Sequence, residues 1–183
     1  MENGEKMSYF DKVSYDQWKN ACGIAQLGDS RLTEMYDAIR LPQQATAASA
    51  GCDFFMPFSL NLEAGGKFRI ATGIRWVTDT GNESGDRGRV LLIVPRSGLG
   101  FKYGIRLSNT VGVIDADYCD SDNEGHIVIS LENPSEQDVY LEQGKPFAQG
   151  IIVKYEIPEG AGSDAQRNGG FGSTDEQKTE NNA

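Results

Sequence analysis

The stretch 127–155, IVISLENPSEQDVYLEQGKPFAQGIIVKY, decides the fold. Three apolar or alternating runs, 127–131, 139–141 and 148–155, are parted by Asn133-Pro134 and by Gly144, which are turn residues. Upstream the same rhythm continues at 54–57, 68–71, 73–77 and 90–94, with breaks at Gly65-Gly66 and over 79–88. Many short strands at this spacing predict an all-β chain, a jelly-roll-like barrel or sandwich. No strand–helix–strand alternation is present, which disfavours a parallel α/β sheet. The first 40 residues differ. Tyr15, Trp18 and Cys22, then Leu32, Met35, Tyr36 and Ile39, recur at helical spacing. Ser14 and Ser30 are candidate caps, Gly28-Asp29 a turn between the helices, and Pro42 a stop. From Pro158 the chain is polar and glycine-rich, too poor in apolar surface to offset its ordering entropy. The expected organisation is a short helical N-terminal arm over 1–40, a β domain over 41–157 and a flexible C-terminal tail over 158–183.

The chain has 183 residues and a formal net charge of −10, with 38% hydrophobic and 24% charged residues. A general nucleic-acid binder needs a basic face to displace counterions, so that class is disfavoured. A nucleotide substrate is not, because a few arginines and a metal ion can hold a triphosphate. No apolar run approaches the roughly 20 residues of a membrane span. The polar start, MENGEKMSYFDK, carries no signal-peptide stretch. The three cysteines form no CxxC, which fits a reducing compartment; the expected location is cytoplasmic.

Several segments carry candidate chemistry. In PRSGLG (95–100) a strand hands Arg96 and Ser97 to a turn permitted by Gly98 and Gly100, a combination that suits a phosphate or equally a plain strand-end turn. The acidic run 109–125, NTVGVIDADYCDSDNEG, reads as a solvated loop or as a calcium loop, but Leu131 stands where a calcium loop needs its bidentate Glu. Asp115 stands out because it follows the apolar run 111–114. It is expected to leave a strand at a buried edge, where a carboxylate can orient or deprotonate a water. Gln149, inside GKPFAQG (144–150), is a polar residue in a core strand, open to reading as a satisfied amide. The tail holds RNGGFGST (167–174), which offers phosphate donors, close backbone approach and one stacking face, or else a plain linker. His126 reads as a strand-edge polar residue, and Cys119, among acids, as a poor nucleophile.

In order and spacing, ATAASAGCDFF, PRSGLG, NTVGVIDADY, GKPFAQG and RNGGFGST resemble the five motifs of the trimeric dUTP diphosphatase (dUTPase) family over residues 41–174. The acidic insert after the third motif, ending in DNEGHI, looks like that of a bacterial or phage-type branch. The resemblance implies a β jelly roll, a homotrimer with shared active sites, and Mg2+-dependent hydrolysis of dUTP to dUMP and pyrophosphate. That reaction keeps uracil out of DNA and supplies dUMP for dTMP synthesis. By resemblance, Asp115 activates the attacking water and Tyr118 packs on the deoxyribose. Asn109, Gly112 and Val113 frame the uracil pocket. Arg96, Ser97, Gly98 and Gln149 touch phosphates, and Asp53 meets the metal through water. Arg167, Phe171, Ser173 and Thr174 close over the substrate, with Phe171 stacked on uracil. The chain departs from the family pattern at Cys119-Asp120-Ser121-Asp122, which replaces Arg-Gly-Glu, and at Asp175, which replaces a final Gly. A dCTP deaminase of the same fold and a non-catalytic regulatory protein, contacting a protein partner through the N-terminal arm, are the competing readings.

Overall fold

The computed structural model describes residues 8–23, 27–79 and 88–162. In chain order it contains β1 (Tyr9–Lys12), α1 (Tyr15–Cys22), α2 (Asp29–Asp37), β2 (Gln43–Gln44), β3 (Cys52–Phe55), β4 (Leu60–Leu62), β5 (Lys67–Ala71) and β6 (Ile74–Val77). There follow β7 (Arg89–Pro95), α3 (Ser97–Tyr103), β8 (Arg106–Leu107), β9 (Gly112–Asp115), a 3-10 turn (Ala116–Asp120), β10 (Val128–Glu132), β11 (Val139–Leu141) and β12 (Pro146–Lys154). The strands form an antiparallel sandwich of jelly-roll type. Its sheets run β2-β3-β12-β7-β9, β5-β10-β8, β1-β6 and β4-β11.

Alternation along each strand sends one set of side chains inward. Phe54, Ile70, Ile74, Trp76, Leu91, Ile93, Leu131 and Phe147 make the core. Asn133 is also fully buried, and its Nδ2 donates to the carbonyls of Leu62, Glu63 and Gln137, which ties the turn after β10 to β4. No helix among the described residues is long and apolar enough to cross a membrane.

The N-terminal segment contributes to the core. Trp18 is fully buried, and its indole N–H donates to the Ala71 carbonyl at 3.1 Å. Gly73 has φ +73, and a Cβ there would lie 2.5 Å from Ile39 Cδ1 and 3.2 Å from Trp18 Cδ1, so only glycine lets the helices approach β6. Ser14 caps α1, its side chain accepting from the Gln17 N–H, as its position predicts. Ser30 does not cap α2: Gly28 is the N-cap and Ser30 lies in the first turn. β1, unforeseen from sequence, pairs with β6 through Tyr9–Lys12, a run too short and polar to signal a strand.

Candidate active site

The sheet β2-β3-β12-β7-β9 carries most of the candidate residues. Along β7, Leu91 and Ile93 are fully buried, while Val90, Leu92 and Val94 are half-buried on the other face. Register extends that outer face. Gln149 lies opposite both Val94 and Asp53, Val113 opposite Leu92, and Asp115 opposite Val90. The outer face is thus apolar in its middle and polar at two opposite corners.

At one corner Asp53, Arg96, Ser97, Gly98 and Gln149 come together. The Arg96 Nη1 is ion-paired with Asp53 Oδ2, and Asp53 is itself buried. The Arg96 N–H donates to the Phe147 carbonyl at 3.3 Å, which fixes the guanidinium's root to β12. The PRSGLG segment is not an open turn. Arg96 is the N-cap of α3, and its carbonyl accepts from the N–H groups of Leu99 and Gly100. Short helices containing two glycines escape sequence reading because glycine is a poor helix former. Gln149 Nε2 reaches the Pro95 carbonyl at 3.5 Å, and its Oε1 occupies space that a Cβ at Gly51 would invade at 2.8 Å. That close approach accounts for the glycine in ATAASAGCDFF.

The other corner is the turn that carries the chain from β8 in one sheet to β9 in the other. Asn109 and Thr110 form its tip, with Thr110 at φ +67. Gly112 lies against β7, where a Cβ would meet Ile93 Cβ at 3.0 Å. Asn109, Gly112 and Val113, with Arg69, Ser108 and Ser130, line a cavity of about 290 Å3. This is near the lower bound of small-ligand pockets, roughly 300–1,000 Å3. Asp115 ends β9 and is exposed, not at a buried edge as the apolar run before it suggests. Burial alternates along β9, with Gly112 and Ile114 inward and Val113 and Asp115 outward, so its last residue lies on the outer face opposite Val90.

The chain then turns inward. Tyr118, on the 3-10 turn, is only 6% exposed. Its hydroxyl donates to the His126 carbonyl at 3.2 Å and accepts from Asn123 Nδ2 at 2.8 Å. The segment 119–126 packs on the body and is no solvated loop. Glu124 accepts from the N–H and Oγ of Ser14 at 2.7 and 2.6 Å, bonds that hold its carboxyl below the usual range. Gly125 has φ +70, and a Cβ would lie 2.6 Å from Cys119 Cα. His126 is fully buried rather than at a strand edge. Its Nε2 accepts from the Gly73 N–H at 2.9 Å, and burial pushes its pKa down to about 4. Sequence reading gave Asn123 no role; the turn-forming Asn-Glu-Gly run was the available signal.

Among the described residues no group of three His, Cys, Asp or Glu is arranged to hold a metal. Asp53 is a single carboxylate, already paired with Arg96. This donor set fits a cation that arrives on substrate phosphates and keeps its waters, as Mg2+ does. Arg167, Phe171, Ser173 and Thr174 lie outside the described residues.

The two corners are far apart. From Asp115 to Asp53 the sheet runs four residues along, about 13 Å, and three strand spacings across, about 14 Å, hence about 19 Å in all. One triphosphate chain does not reach from one to the other within a single subunit.

The dUTPase family model matches residues 37–175. The chain belongs to the dUTPase family. A deoxyuridine 5'-triphosphate nucleotidohydrolase of Psychrobacter cryohalolentis is 36% identical over 148 residues, 76% of this chain and 89% of that protein. A crystal structure of dUTPase from Streptococcus mutans matches with TM-score 0.61 and 28% identity, covering 83% of this chain and 99% of that one. The dUTPase of phage phi11 of S. aureus, described with a structural Mg(II) ion, shares the fold at TM-score 0.58 and 18% identity, over 87% of this chain and 98% of its own.

Proposed function

We propose that this dUTPase-family chain hydrolyses dUTP to dUMP and pyrophosphate, in a homotrimer whose active sites lie between subunits. The observation that carries the reading is the β8–β9 turn and β9 itself, which line a cavity with Asn109, Gly112 and Val113 and end on the exposed carboxylate of Asp115. Backbone groups and one side-chain amide suit a uracil edge, and they reject cytosine because its amino group would face donors. Asp115 then takes a proton from the attacking water. The water oxygen bonds to the α-phosphorus, and the α–β bridge breaks to release pyrophosphate. Arg96, oriented by Asp53, with Gln149 and the first amides of α3, holds the phosphates of a substrate whose base sits on a neighbouring subunit. Mg2+, when bound, would neutralise charge on the triphosphate, and Asp53 would help to hold it. Arg167, Phe171, Ser173 and Thr174 close over the nucleotide and exclude water from it.

The 19 Å gap within one subunit and the apolar middle of the outer sheet face both support assembly. Val90, Leu92, Val94 and Ile151 are half-buried there, and Val113 and Val153 are exposed. By its DNEGHI segment we assign the chain to a bacterial or phage-type branch. The test is release of pyrophosphate from dUTP, dCTP, dTTP and UTP with Mg2+. Selective turnover of dUTP is expected. Ammonia from dCTP, or no turnover of dUTP, refutes the reading.

A further inference from the structure

We propose that Asn123 is a positioning residue for Tyr118, and that the loop it belongs to sets how strictly the enzyme refuses a ribonucleotide. The inference rests on the dUTP-hydrolysing reading and deepens it. The Tyr118 hydroxyl both donates, to the His126 carbonyl, and accepts, from Asn123 Nδ2. On the dUTPase reading the Tyr118 ring packs on the deoxyribose, and with both hydroxyl functions engaged it would meet the sugar as a steric wall.

A wall discriminates only if it does not yield. A 2′-hydroxyl adds a single heavy atom, so a ring that shifts by a few tenths of an ångström admits it. Packing alone supplies part of the stiffness. The loop supplies the rest. Asn123 Oδ1 accepts from the Gly125 N–H at 3.1 Å, and the Asn123 carbonyl accepts from the His126 N–H at 3.0 Å, so the amide is aimed by its own turn. Gly125 lies against the backbone of Tyr118 and Cys119, an approach that any side chain would block. Glu124 is tied to Ser14, at the start of α1. His126 is buried and held through the Gly73 N–H. The acceptor and the donor that grip the hydroxyl are therefore both anchored to the body. Neither Asn123 nor the loop touches the reacting phosphates in this scheme, so the effect acts on selectivity.

The experiment is a double-mutant cycle on the full chain with Mg2+, reading kcat/KM for dUTP and for UTP. Asn123→Ala should lower the dUTP-over-UTP ratio about five-fold, the worth of one hydrogen bond. The change should fall mainly on UTP. Tyr118→Phe should give a similar loss, and adding Asn123→Ala to it should give no more, because the hydroxyl they share is gone. Asn123→Ser keeps an oxygen for the Gly125 N–H but falls short of the tyrosine hydroxyl; it gives the same reading if the alanine variant does not fold. Equal losses for both nucleotides, an unchanged ratio, or an undiminished effect of Asn123→Ala in the Tyr118→Phe background overturns the proposal. If the unmodified protein does not hydrolyse dUTP, the functional reading itself fails. If it does, and discriminates, while the variants discriminate equally well, only this inference fails.

Discussion

Mixing two crippled variants should restore activity. Asp115→Asn removes the carboxylate at one corner of the sheet, and Arg96→Gln removes the guanidinium at the other while leaving Asp53 an amide to bond. The first should cost about 10²–10⁴ in kcat, as expected for a lost general base. The second removes charge-assisted hydrogen bonds to phosphate, a loss of about ten- to a hundred-fold. Because the corners lie about 19 Å apart in one subunit, the proposed trimer would take Asp115 from one subunit and Arg96 from another at each site. In a homotrimer of either variant every site lacks one group. After co-refolding at equal amounts, a site is whole when its Asp115 comes from an Arg96→Gln subunit and its Arg96 from an Asp115→Asn subunit. Random assembly of a symmetric trimer makes that about a quarter of sites. The assay is pyrophosphate release per subunit, with mixed trimers verified by mass. About a quarter of normal activity supports sharing between subunits. Activity no higher than the mean of the two parents, in verified mixed trimers, refutes it.

Cutting the chain after Gly160 should sharply reduce hydrolysis while leaving assembly unchanged, read by pyrophosphate release and size-exclusion chromatography; normal turnover would rule out a closing tail. Burial lowers the His126 pKa from 6.5 to about 4, so the unfolded chain takes up a proton that the folded one refuses. The stability this gives is complete above pH 6.5 and drains away towards pH 4, a loss of about 3 kcal/mol across the window. His126→Gln should flatten that part of the stability-against-pH curve, and an unaltered slope in urea titrations would contradict the burial argument. Trp18→Ala should destabilise the fold by about 3–5 kcal/mol in denaturant titrations, since the indole is fully buried and donates to Ala71. A cost below about 1 kcal/mol would mean that the helices only lean on the sandwich.

Strand periodicity carried most of the sandwich. The run 139–141 is β11, and the runs 68–71, 90–94 and 127–131 fall within a residue or two of β5, β7 and β10. What escaped had no local signal. β1 gains its strand character from pairing with β6 and α3 from a cap at Arg96, neither of which composition reveals. Motif order brought Asp53, Arg96 and Gln149 onto one list, but only register puts them on one corner. The exposure of Asp115 follows from which face of the sheet its position in β9 takes, and only the pairing of β9 with β7 fixes that face. His126 looked like surface because a polar residue in an acidic run normally is. Its burial depends on Gly73, some fifty residues away, supplying a hydrogen bond.

The order of strands in the large sheet has a consequence for synthesis. β12, the last strand among the described residues, lies between β3 and β7. Until it leaves the ribosome, both neighbours present bare hydrogen-bonding edges, the kind of surface that recruits stray strands. Such late, long-range pairing also slows folding. The nascent protein thus stays exposed to sticking until β12 has been made, and a chain stalled before it would be an aggregation-prone fragment in which Asp53 and Arg96 have not been brought together.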